Sequence, residues 1–263
     1  MDNYVDERDL KILENDRYTY FVLSRVMTGD CALLLSDHQR LIICFTTLPY
    51  PVWIWTADGL SEEEKENIYA LVKEHFLLKG GFHFNLKYEL AEYLIPRAKK
   101  DGYELSVFTN MYAYDCPKPK KPSKKADGQL YQCREDDIEE VTNFIEMMSH
   151  ELNIDIRPRE LCREEAEEAV SRQMVYFWKN SEGKSVASCM YNPNGDISSI
   201  NLVYTRPEYR RKHYAENLVY SVTKIVYDQG VMPMLYTDAD YEASNACYEK
   251  IGFVLRGKLC TIG

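Results

Sequence analysis

The 263-residue chain has no apolar run long enough to cross a membrane. Its longest, such as Leu41 to Phe45, are strand-sized, against the ~20 residues that a spanning helix needs. It has no surplus of positive charge either. Lys and Arg number 32 against 42 Asp and Glu, a net charge of −10. That sign argues against a general nucleic-acid binder and leans slightly towards cationic substrates. No cysteine pair has metal-ligand spacing. The eight cysteines, Cys31, Cys44, Cys116, Cys133, Cys162, Cys189, Cys247 and Cys260, are scattered, and several fall in apolar runs where a reduced thiol packs as a small hydrophobe. The first residues, MDNYVDERDL, are polar and acidic and do not read as a secretion signal. A cytoplasmic protein with no metal, no membrane association and no nucleic-acid partner is expected. Apolar residues make up 45% of the chain and charged residues 28%, enough for a sizeable core under a solvated surface.

One segment stands apart. Residues 115–128, DCPKPKKPSKKADG, combine Pro and Lys without apolar periodicity and hold five lysines against two aspartates. Such a stretch reads as an exposed, extended linker. The charge is −6 before it, +3 within it and −7 after it. The pattern predicts two acidic domains, 1–114 and 129–263, on a basic tether.

In the second domain the expected order is a strand at Leu130 to Arg134, helices over Asp136 to His150 and Arg159 to Arg172, and strands at Met174 to Lys179, Ser185 to Tyr191 and Ser198 to Thr205. The first of these helices carries Ile138, Val141, Phe144, Ile145 and Met148 at three- and four-residue steps. A helix over Tyr214 to Gln229 follows, then a strand at Met234 to Thr237, a helix at Ser244 to Ile251 and a strand at Phe253 to Ile262. In the first domain, strands are expected at Tyr18 to Val26, Cys31 to Leu35, Leu41 to Thr47 and Val52 to Thr56. Then come a helix from Ser61, with Glu64 placed for a capping box, a strand at Phe82 to Leu86, a helix at Tyr88 to Lys100 and a strand at Tyr103 to Tyr112. The fold class is α+β: two domains, each a mixed, mostly antiparallel sheet flanked by helices. The order over 52–112 parallels that over 198–262.

Chemistry points to Arg206 to Ala215, RPEYRRKHYA, which puts four cationic side chains within seven positions between a strand and a helix start. Helix starts offer backbone N–H groups and a positive dipole end, together an anion site; a solvated basic loop is the alternative. The string Arg210-Arg211-Lys212-His213-Tyr214-Ala215, followed by Asn245, Tyr248, Gly252 and Phe253, resembles the two best-known motifs of the GNAT superfamily of N-acetyltransferases. The family pattern has glycine where this chain has His213.

The resemblance implies an acyl-CoA N-acyltransferase fold over 129–263 and acetyl transfer from acetyl-CoA to a primary amine. It implies that the backbone of Leu202, Val203, Tyr204 and Thr205 holds the pantetheine arm, and that Arg210, Arg211, Lys212, His213, Tyr214 and Ala215 hold the pyrophosphate. A strand N–H near Val203 would stabilise the oxyanion, Asn245 would bind the coenzyme arm or a water, or with Ser244 simply cap its helix, and Tyr248 would protonate the departing thiolate. For the amine's proton, Asp196, Asp238, Asp240, Tyr204 and a water chain stay open. The acceptor could be a small amine, a peptide N-terminus or a lysine. A non-catalytic coenzyme-binding module of the same fold is the other reading, and the N-terminal domain is expected to be a degenerate companion of GNAT-like fold, with an unrelated partner-binding module as the alternative.

Overall fold

A computed structural model describes residues 1–152 and 158–263, and the chain divides into two units. One comprises Met1–Tyr114, Tyr236–Tyr241 and Leu255–Gly263; the other comprises Asp115–Leu235 and Glu242–Val254. The expected C-terminal domain therefore gives up its last strand to the N-terminal unit.

The N-terminal unit runs α1 (Glu7–Leu13), α2 (Phe21–Val26), β1 (Leu33–Ser36), β2 (Leu41–Phe45), β3 (Val52–Thr56), α3 (Glu62–His75), β4 (Phe84–Leu86), α4 (Tyr88–Lys100) and β5 (Val107–Asp115). β1, β2 and β3 pair antiparallel, and β3 pairs β4 in parallel. The chain's final strand, β11 (Val254–Ile262), lies between β4 and β5, antiparallel to β4 with Cys260 opposite Leu86. The segment read as a strand at Tyr18 to Val26 is instead α2. Its β-branched and aromatic residues favour a strand, but Tyr20, Leu23 and Met27 recur at helical spacing and all three are buried. Phe21 stacks on Tyr236 at 4.3 Å, so tertiary packing decides the conformation. α1 was not expected, although Asp6 and Asp9 form a capping box at its start.

The second unit holds β6 (Gln129–Gln132), α5 (Ile138–Leu152), α6 (Arg159–Ser171), β7 (Val175–Lys179), β8 (Ser185–Asn194), β9 (Ile197–Thr205), α7 (Tyr214–Asp228), the start of β10 (Met232–Asp238) and α8 (Glu242–Lys250). β6 to β9 form an antiparallel meander, and β10 joins β9 in parallel. Val141, Phe144 and Ile145 of α5 meet Cys162, Ala166 and Val170 of α6 over Val175, Phe177 and Leu202. Each fully buried side chain of that size contributes roughly 1.5–3 kcal/mol. α7 packs on β7 to β9 with Leu218, Val219, Val222 and Val226 buried.

Residues 116–128 form no helix or strand, and all five lysines are exposed, as expected. They are not a free tether, however. The Cys116 N–H donates to the Pro233 carbonyl at 2.9 Å and the Lys120 N–H to the Ile251 carbonyl at 2.8 Å, while Cys116 and Ala126 are buried. Main-chain hydrogen bonds dock the segment as a strap, and they need no apolar periodicity.

Candidate coenzyme site

β9 carries a local backbone distortion. Its ladder with β8 pairs Met190 with Asn201 and resumes at Ser188 with Tyr204. Leu202 and Val203 thus stand opposite Cys189 alone, a β-bulge that turns their backbone out of the ladder. Leu202 takes φ +49° while its side chain is only 4% exposed. The left-handed conformation costs an L-residue roughly 1–2 kcal/mol, and such strain collects at functional sites. The Leu202 side chain is anchored in the core of α5 and α6, and the buried Ser188 hydroxyl donates to its carbonyl at 2.9 Å. Nothing in the sequence pattern singles out Ser188. On the other side, β10 pairs with β9 only over Met232–Met234 and Ile197–Ser199. That register stops short of Asn201 to Thr205.

Past β9 the chain makes one tight turn, Pro207–Tyr209, and enters α7 through two left-handed residues, Arg211 at φ +62° and His213 at φ +64°. His213 therefore adopts a left-handed conformation that glycine takes without strain, and histidine is among the side chains enriched there. Its carbonyl accepts from the Asn217 N–H at 3.1 Å and from Asn217 Nδ2 at 2.9 Å, and its Nδ1 lies 3.2 Å from Glu216 Oε2. No side chain caps the start of α7, so no side-chain acceptor occupies the N–H groups of its first turn. His213→Gly should relieve roughly 1–2 kcal/mol of strain and add roughly 0.5–1 kcal/mol of unfolded-state entropy. A denaturant midpoint unchanged or slightly raised is expected, with coenzyme affinity kept or improved. A large loss of affinity in calorimetry would make the imidazole a ligand.

The loop's cations divide into two pairs. Arg206 donates to the Ser185 carbonyl at 3.1 Å and to Glu140 at 3.3 Å, its guanidinium 4.7 Å over the Phe144 ring. Arg210 donates to the Thr205 carbonyl at 3.0 Å and to the Glu151 carboxylate. These two brace the loop against β8, β9 and α5. Arg211 and Lys212 are exposed at its tip, Lys212 lying 5.5 Å over the Tyr209 ring. Ala215 lies half-buried in the first turn of α7. Tyr214 donates to Asp127 Oδ1 of the strap at 2.5 Å; that bond holds the Asp127 carboxyl down at about 2 and pushes the Tyr214 phenol up to about 12.

Tyr204 is buried, and its hydroxyl donates to Glu151 Oε2 at 3.1 Å. Burial first, and the Glu151 charge second, raise its proton affinity, so it is poorly suited to take a proton from an amine. Tyr204, Glu151, Glu146, Met147 and His150 line a cavity of about 670 Å³ beside the end of β9. Asn245 and Tyr248 lie one turn apart on α8, both buried, and α8 packs on α7. The Tyr248 ring meets Phe253 edge-on at 5.8 Å. The second motif is thereby tied to the helix that the first motif opens.

The corresponding helix start in the N-terminal unit is closed. The Ser61 hydroxyl accepts from the Glu64 N–H at 3.2 Å and the Glu64 carboxylate from the Ser61 N–H at 2.7 Å, with Glu62, Glu63 and Glu64 all in the first turn of α3. An anion would meet filled donors and three negative charges. That unit has its own polar cluster, which the sequence reading missed. His38 Nδ1 lies 2.7 Å from the fully buried Asp9 and Nε2 lies 3.0 Å from Asp2, while Asp9 also accepts from the Ser36 hydroxyl and the Asp6 N–H. Asp6, Asp9 and His38 are close enough to share a cation, but they already satisfy one another and tie the first residues to the β1–β2 turn.

No helix among the described residues is long and apolar enough to cross a membrane. The family model for FR47-like protein matches residues 177–262. No curated protein matches the chain by sequence. Among solved structures, an acetyltransferase of the GNAT family from Colwellia psychrerythraea superposes with a TM-score of 0.61 at 10% identity, covering 99% of this chain and 98% of that one. A GCN5-related N-acetyltransferase from Sphaerobacter thermophilus gives 0.64 at 11% identity over 87% and 81% of the two chains. One from Kribbella flavida gives 0.59 at 10% identity over 95% and 94%. At such identities the likeness is one of fold. Residues 177–262 thus match the FR47-like family model, and the chain shares its fold with these acetyltransferases.

Proposed function

We propose that the C-terminal unit transfers an acetyl group from acetyl-CoA to a primary amine by direct attack on the thioester. The observation that carries this reading is the uncapped start of α7, entered through left-handed Arg211 and His213 and flanked by exposed Arg211 and Lys212. Backbone N–H groups from Arg211 to Ala215 would hold the pyrophosphate. The unzipped stretch Leu202 to Thr205 would hold the pantetheine arm, with the bulge backbone at Val203 directed at the thioester oxygen. The amine attacks the carbonyl carbon, the tetrahedral intermediate collapses with cleavage of the C–S bond, Tyr248 gives its proton to the departing thiolate, and the proton lost by the nitrogen returns through water to the Tyr248 oxygen. Asn245, on the same face of α8, would position the coenzyme arm. The cavity walled by Glu146 and Glu151 lies beside the same strand and suits the approach of an amine. The N-terminal unit, with the order β3–α3–β4–α4–β5 but a filled helix start, reads as a degenerate copy without a coenzyme site.

Isothermal titration of the full chain with acetyl-CoA is expected to give saturable binding, and failure of the folded protein to bind would end the proposal. Free-thiol release is then followed with small amines, peptide N-termini and lysine peptides. Binding with no amine-dependent release would make the protein a coenzyme sensor.

A further inference from the structure

The basic strap at residues 115–128 lies directly against the coenzyme loop. Its Lys124 carbonyl accepts a hydrogen bond from Asn217 Nδ2 at 2.9 Å, and the same Nδ2 donates to the His213 carbonyl at 2.9 Å. One side-chain amide therefore clips the strap to the left-handed residue that opens α7. Three residues on, Asp127 accepts from Tyr214 at its Oδ1 and from the Ser181 N–H at its Oδ2, and its carbonyl accepts from Trp178 Nε1 at 2.7 Å. The backbone between these anchors has little freedom to leave. The side chains of Lys124 and Lys125 are exposed, and among the described residues neither pairs with a carboxylate.

We propose that Lys124 and Lys125 select the coenzyme by its terminal 3′-phosphate. This rests on the coenzyme reading above and extends it to a segment outside the family motifs. Coenzyme A carries two phosphate groups in its pyrophosphate and a third, a dianionic monoester, on the ribose. The α7 cradle with Arg211 and Lys212 matches the pyrophosphate, while Arg206 and Arg210 are committed to Glu140 and Glu151. The monoester therefore needs other cations, in a region where residues 129–263 carry a net −7. Two lysines on a docked backbone beside the cradle supply them. Lysine binds such a group as a mobile point charge, so the preference it confers is screened by salt.

The test is a comparison of coenzyme A with 3′-dephospho-coenzyme A by calorimetry on the full chain. The wild type is expected to bind coenzyme A roughly tenfold more tightly, about the worth of one charge-assisted hydrogen bond, with the ratio shrinking at high salt. Lys124→Ala with Lys125→Ala should erase that ratio by weakening coenzyme A alone. Lys124→Arg with Lys125→Arg should restore it. The Asn217 bond is to the Lys124 backbone, so the alanine variant keeps its anchor. Equal loss for both ligands, or an unchanged ratio, would overturn the assignment while leaving the coenzyme site intact. Failure of the wild type to bind either ligand would remove the site itself.

Discussion

Replacing Tyr248 by phenylalanine is expected to lower turnover about a hundredfold while leaving acetyl-CoA affinity within about twofold. The magnitude is the lower end of what a positioned general acid contributes. A coenzyme thiol titrates near ~8.5, so near neutral pH the leaving sulfur needs a proton at or soon after C–S cleavage. The substitution removes one oxygen and keeps the ring, and with it the edge-on contact with Phe253 at 5.8 Å. Packing of α8 should survive, because Tyr248 is only 7% exposed and phenylalanine keeps the ring that fills its place. Steady-state kinetics paired with calorimetry separate the two quantities. Loss in turnover at constant affinity marks an interaction made only in the transition state. Unchanged turnover would strip Tyr248 of its role, and a parallel loss of affinity would make it a coenzyme contact.

The parts of this site legible in the sequence were those written in periodicity or motif. α7 declares itself through Leu218, Val219, Val222 and Val226 on one face, and α3 through Ser61 and Glu64. The basic loop and the Asn245–Tyr248 pair stood out through their resemblance to the two family motifs. What stayed hidden was set by backbone conformation or by partners distant in sequence. The bulge at Leu202 has no glycine to announce it; it is held by Ser188, fourteen residues away. His213 is a departure from the motif in residue type, and the sequence does not show the left-handed φ it adopts. The division of labour among the four cations depends on Glu140 and Glu151 of α5, which composition could not assign. The strap was misread for a related reason. Its lysines are as exposed as expected, but its anchors are carbonyls and amides, and Asp127 is the one side chain whose role could have been suspected.

Gly252→Ala should be the most destabilising single substitution in the second motif, by roughly 3 kcal/mol or more of the roughly 5–15 kcal/mol that holds a domain together. Gly252 sits at φ +104° just past α8, where its N–H donates to the Glu249 carbonyl at 3.1 Å. A Cβ there would lie 2.4 Å from the Lys118 carbonyl oxygen and 3.3 Å from the Lys120 nitrogen, both backbone atoms of the strap. The Lys120 N–H is bonded to the Ile251 carbonyl, so the strap cannot move aside without losing that bond. Conformational strain of roughly 1–2 kcal/mol thus adds to a steric overlap that no side-chain rotation relieves. Gly230→Ala separates the two contributions. Its φ is +76°, yet an added Cβ there would meet nothing within 4 Å, so it should cost only about 1 kcal/mol. Denaturant midpoints of the two variants give the difference. If they agree within about 1 kcal/mol, the strap is not held against α8. If Gly252→Ala is the costlier, as expected, the motif glycine does more than end a helix: it leaves room for the chain that carries Lys124 and Lys125 to the start of α7.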